Sequence, residues 1–134
     1  RSAGIGLLVQ NSFLNPFDTF PPVWEEVVQG RIGRLKLRED SDNLDIWVCY
    51  LSATSESERA MHLSDISARI LPPEAALSIV LGDFSFTVRN EDRWVKAAAD
   101  FSCESHAKCR AVVSNTWRTS LGLQEFFQDE HTCE

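Results

Sequence analysis

Asp83 and Ser85 stand two residues apart in the stretch SIVLGDFSF, residues 78–86. In an extended chain side chains alternate, so these two project to one side while Phe84 and Phe86 project to the other. A carboxylate and a hydroxyl offered together can orient a water and donate to an anion. Gly82 removes a side chain beside them, which is expected to let a ligand approach. A second grouping joins Cys103, His106 and Cys109, with His131 and Cys133 further on. These are residue types that zinc takes, but their spacing fits no standard finger, so no zinc site is read there. Arg93 and Trp94 read as a packing pair, with the guanidinium over the ring. His62 is expected at the surface of a helix.

Position depends on the elements that carry these residues. RIGRLKLR at 31–38 alternates, with Leu35 and Leu37 on one side and Arg34, Lys36 and Arg38 on the other. That is the pattern of a half-buried strand. EDSDN at 39–43 is turn chemistry. Residues 44–51 are rich in β-formers, so the two runs are expected to pair as an antiparallel hairpin. Ser55 followed three places later by Glu58 fits a capping box. Leu63, Ile66 and Ile70 recur at helical spacing until Pro72-Pro73, which predicts a helix near 56–71. LSIVLGD at 77–83 is a strand short and apolar enough to be central. GIGLLV at 4–9 reads as a further buried strand. The stretch 11–30 contains Pro16, Pro21 and Pro22 and reads as a loop. Residues 90–101 and 106–123 are candidate helices, the second ending near Gly122. Strand, hairpin, helix and strand together predict an α+β domain with helices covering a sheet.

The chain has 134 residues, enough for one core but not two. Its formal charge of -7 argues against nucleic acid held by charge alone. It leaves room for a nucleic-acid enzyme that works through divalent cations, since bound metal supplies local positive charge. No apolar run approaches the ~20 residues of a membrane span, so no membrane partner is expected. Cys49, Cys103, Cys109 and Cys133 are not spaced as a disulfide framework, which favours an intracellular, reducing compartment. Cys49 lies inside an apolar strand and reads as a small buried hydrophobe.

In order along the chain, these motifs resemble the endonuclease/exonuclease/phosphatase superfamily, whose fold is DNase I-like. SIVLGDFSF is similar to its GDFN strand, GRIGRLKLR to an earlier strand, and LDIWVCYLSA to its VNVYLP-type strand with Tyr50 at the tyrosine. ERAMHLSDISARI resembles the helix before the aspartate strand. NEDRW and the closing WRTSLGLQEFFQDEHTCE resemble endonuclease domains of non-LTR retrotransposons. The likeness runs over about 4–125. It implies a partial DNase I-like α/β-sandwich spanning 1–134, and a Mg²⁺-dependent phosphodiesterase acting on nucleic acid. By that likeness Asp83 helps activate the attacking water and Tyr50 contacts the scissile phosphate. Ser85 falls where the family has a phosphate-orienting asparagine. Serine keeps a donor but is shorter by an amide group, so efficient catalysis is not expected of it.

The likeness further implies that the metal-binding glutamate precedes anything matching residue 4, and that the closing Asp-His pair follows the matched region. Glu25 and Glu26 fall too late for the first, and DEH at 129–131 too early for the second. The chain is thus expected to be inactive alone, and to expose sheet at Ile46, Val48, Leu35 or Leu37 that invites oligomerisation. Two other readings stay open: a degenerate, non-enzymatic fragment or interaction module, and a phosphatase of the same superfamily acting on a phosphoinositide or small phosphoester.

Overall fold

A computed structural model describes residues 4–40, 42–85 and 116–124. The chain divides into two compact units, Arg1–Ser85 and Phe86–Glu134. In the second, a short helix covers 116–120 and closes on Gly122, whose φ of 64° suits the left-handed turn that ends helices. The expected helix at 90–101, the start of that at 106–123, the Arg93-Trp94 pair and the Cys103–Cys109 grouping lie outside the described residues.

The first unit is a four-stranded mixed sheet in the order β1 (Val23–Val28), β2 (Ile32–Arg38), β3 (Asn43–Tyr50) and β4 (Leu77–Asp83). β1, β2 and β3 pair antiparallel, and β4 runs parallel to β3. A parallel pair needs a crossover. Here it contains α2 (Glu56–Ser67), so β3, α2 and β4 form a βαβ unit. The expected hairpin forms with full register from Ile32↔Cys49 to Arg38↔Asn43. Half of the expected capping box forms: the Ser55 hydroxyl accepts from the Glu58 amide at 3.2 Å, while the Ser55 amide donates to the Ser52 hydroxyl rather than to the Glu58 carboxylate. α2 ends at Ser67, one turn short of 71. The residue before a proline disfavours helical backbone, and Ile70 closes a turn onto the Ile66 carbonyl instead.

Three expectations about the strands change. Residues 4–9 form no strand. Leu7 and Val9 nevertheless pack on Leu35, Leu37, Leu44 and Ile46, while Leu8 between them is fully exposed. No strand among the described residues pairs with this segment. The stretch 11–30 is not one loop. It holds α1 (Asn11–Leu14), a 3₁₀ turn (Asn15–Phe17) and then β1, once Pro21-Pro22 have passed. Its VWEEVV carries β-formers that the neighbouring prolines masked. Finally, β4 is not central among the described strands but stands at the end of their order. Its Leu77 and Leu81 are exposed.

The sheet has two unlike faces. One carries Leu35, Leu37, Leu44 and Ile46, with Ile79 of β4 beside Ile46 and with Leu7, Val9, Leu14 and Phe17 packed against them. The expected exposure of Leu35, Leu37 and Ile46 is therefore not found; Val48 is half-buried. Exposed apolar residues sit instead at the outer strands, at Val23, Trp24, Leu77 and Leu81. The other face carries Ile32, Trp47 and Cys49, all buried, beside a row of charges. Arg34 meets Glu25 at 2.6 Å and Asp45 at 3.6 Å, and Arg38 meets Asp45 at 2.6 Å. The Arg34 guanidinium lies 4.7 Å over the Trp47 ring and donates to the Arg69 carbonyl just past α2. α2 buries Arg59, His62, Leu63 and Ile66. His62 is thus inside rather than at the surface, because the inward stripe of α2 includes positions 59 and 62 as well as the leucine and isoleucine.

Glu25 gives this row a measurable pH signature. Hydrogen bonds from Lys36 first, then Arg34, hold its carboxyl down at about 2. A depressed acid stabilises the fold above its unfolded value, here near 4.5, and that contribution disappears as pH falls toward 2. Urea denaturation across pH 5 to 2 should show wild-type stability converging on that of Glu25→Gln. Parallel curves at all pH values would mean that this partly exposed cluster contributes nothing, as many surface pairs do.

Candidate functional site

Tyr50 ends β3 and Asp83 ends β4, and the parallel register makes them direct Cα partners. Partners in register leave the same face of a sheet, so phenol and carboxylate emerge together. Both are exposed. The ladder carries on beyond them, with the Leu51 amide donating to the Asp83 carbonyl at 2.8 Å.

Ser85 is brought to the same place by a turn rather than by strand alternation. Its amide donates to Asp83 Oδ1 at 2.8 Å, the bond of an Asx turn. Its hydroxyl lies 3.3 Å from the same oxygen and donates to the Leu51 carbonyl at 2.9 Å. The backbone there has φ of 53°, the left-handed region. A non-glycine residue is uncommon in that region, and Asn is several-fold enriched there. The position thus suits the asparagine of the resemblance as well as the serine it holds. The three residues singled out from sequence are gathered at one edge, but two of them already bond to each other.

Gly82 serves a different end from the one expected. A Cβ there would fall deep inside the Cys49 carbonyl, and its φ is +136°. The close approach is that of the β3 backbone, not a ligand. It lets β3 and β4 run together up to Tyr50 and Asp83. Cys49 itself is buried and free, as expected of a small hydrophobe. Burial, with a smaller contribution from the Asp83 charge, pushes its thiol up to about 12, so it is no nucleophile.

Arg31 is the neighbour that sequence reasoning missed. Its guanidinium lies 5.0 Å over the Tyr50 ring, and its carbonyl accepts from the Tyr50 amide at 2.8 Å. Continuing the 31–38 and 44–51 hairpin one residue past Ile32↔Cys49 would have placed it there. Among the described residues, no group of three or more His, Cys, Asp or Glu could hold a metal ion. The edge offers one carboxylate, with one of its oxygens engaged by Ser85. These residues do not fit a Mg²⁺ site by themselves, because that ion wants an octahedron of oxygens, usually with more than one carboxylate or a substrate phosphate among them.

No known family model, curated protein or solved structure matches this chain. The reading of the site therefore stands on its geometry and on the motif order of the sequence. No helix among the described residues is long and apolar enough to cross a membrane.

Proposed function

We infer that the edge formed by Tyr50, Asp83 and Ser85 is one wall of a phosphodiesterase site of the DNase I-like type, acting on nucleic acid. The observation that carries this reading is the pairing of Tyr50 with Asp83 at the end of a parallel β3/β4 pair. In sheets covered by helices, ligands gather beyond the carboxyl ends of such strands. A phenol can donate to a non-bridging phosphate oxygen, and a carboxylate can orient a water and accept its proton. Asp83 Oδ1 is spoken for by Ser85, which leaves Oδ2 for that task. Among the described residues no cluster of carboxylates joins Asp83, so a Mg²⁺ ion at this edge would need further ligands.

A second reading has its own observation. The Ser85 hydroxyl donates to the Leu51 carbonyl, and the Asp83 carboxylate closes the Asx turn. Both side chains finish a strand end, as a non-catalytic interaction module would also require. Activity separates the readings only in part, because one wall is not a complete site. Purified chain in millimolar Mg²⁺ should leave supercoiled plasmid intact. Nicking that disappears with EDTA and with Asp83→Ala would overturn the expected inactivity and dismiss the non-enzymatic reading.

A further inference from the structure

The cations of the sheet are not held alike. Lys36 and Arg34 each meet Glu25 at 2.6 Å, and Arg38 meets Asp45 at 2.6 Å. The Arg34–Glu25 contact is a charge-assisted hydrogen bond, and the other two are equally close ion pairs. Arg31 meets Glu58 at 4.0 Å, too far for a hydrogen bond, with both side chains about one-third exposed. Its other contact is the face of the Tyr50 ring at 5.0 Å. A guanidinium stacked on an aromatic ring keeps its in-plane N–H groups free to donate sideways. Glu58 belongs to the first turn of α2, where the helix end already favours a carboxylate. Glu58 is thus stabilised without Arg31 and can release it.

We propose that Arg31 is the phosphate-contacting cation of the Tyr50–Asp83 edge, and that Glu58 is an internal counterion which a phosphate group displaces. The inference rests on the phosphodiester reading of that edge. Its electrostatic need is plain: the chain carries a net charge of -7, and Asp83 itself repels an anion. A phosphate beside Asp83 requires a local positive charge, and the guanidinium against the Tyr50 ring supplies one. Its fork can hold two phosphate oxygens while the Tyr50 hydroxyl donates to a third.

The test is a titration of the chain with inorganic phosphate, followed through the Arg31 side-chain Nε–H and Tyr50 ring signals by NMR. Both should shift with a single dissociation constant. Glu58→Gln removes the competitor and should tighten binding about two- to fivefold, the worth of an exposed pair. Arg31→Gln should weaken it about tenfold or more, as expected for loss of a charged donor. Arg31→Lys keeps the charge without the fork and should fall between. It also serves as the probe if Arg31→Gln fails to fold. Binding unchanged in Arg31→Gln, or in Arg31→Lys and Glu58→Gln together, overturns the proposal. Tyr50→Phe separates the two inferences. If it weakens binding while the Arg31 variants do not, the phosphate reading stands and the role of Arg31 falls. If the Arg31 variants weaken binding while Tyr50→Phe does not, Arg31 binds phosphate but the Tyr50 role in the wall fails. Wild-type protein that shows no shift at all overturns both.

Discussion

Gly82→Ala should destabilise the first unit by about 3 kcal/mol or more. Two costs add: about 1–3 kcal/mol for an alanine in a backbone region that glycine nearly monopolises, and a similar amount for overpacking. The added methyl meets the Cys49 backbone, which cannot swing aside as the end of a flexible side chain could. Relief must come from separating the ends of β3 and β4. That separation would pull Tyr50 away from Asp83, so the loss of stability and the loss of the site's geometry should occur together. Gly4→Ala is the control, since nothing stands within 4 Å of a Cβ there. It should stay within about 0.5 kcal/mol of wild type. Equilibrium urea unfolding measures both. A Gly82→Ala chain as stable as Gly4→Ala would mean that the strands part at little cost.

Asp45→Ala should cost about 3 kcal/mol by the same measurement. Asp45 is fully buried and faces two guanidiniums, at 2.6 Å from Arg38 and 3.6 Å from Arg34. Neither of its oxygens has a well-aligned hydrogen bond, so charge is what holds it. Removing one partner of a buried pair typically costs about 3–5 kcal/mol, because the other charge is left uncompensated. The lower end applies here. Arg34 keeps Glu25 and the Arg69 carbonyl, and Arg38 is exposed enough to reach water. A loss below about 1 kcal/mol would show that water or Glu25 compensates both arginines.

The sequence was legible where one physical signal dominated. Alternation at 31–38 marked β2, the β-formers of 44–51 marked β3, and Ser55 with Glu58 marked the start of α2. The apolar run before Asp83 marked β4, though not its place at the end of the described sheet order. Periodicity gives a strand's type but not its neighbours. For the same reason 4–9 was mistaken for a strand: Leu7 and Val9 point inward, but backbone pairing cannot be read from side chains. β1 was hidden by Pro21-Pro22, since prolines that end one segment also colour the next. His62 was misplaced because buried polar residues do not show in a hydrophobic pattern.

For the candidate residues, the sequence showed which strand ends carry them but not how they meet. Asp83 and Ser85 were chosen from type and spacing and Tyr50 from the resemblance, and the structure brings them to one edge. Alternation was the wrong reason for Ser85, which arrives through a left-handed turn. Gly82 was assigned to a ligand and serves the neighbouring strand. Arg31 lay inside the predicted strand at 31–38, but its place over Tyr50 depends on the register, which alternation does not fix. Each miss concerns a contact between strands, which exists only once the register is fixed.

The most direct measurement is the footprint of a short phosphodiester. A dT6 oligonucleotide titrated into ¹⁵N-labelled chain, with and without Mg²⁺, reports where the sugar–phosphate backbone touches. The account predicts amide shifts that cluster at Tyr50, Leu51, Asp83, Phe84 and Ser85 and that Tyr50→Phe diminishes. Shifts confined to the exposed outer-strand residues Val23, Trp24 and Leu77, or none at any concentration, would contradict it.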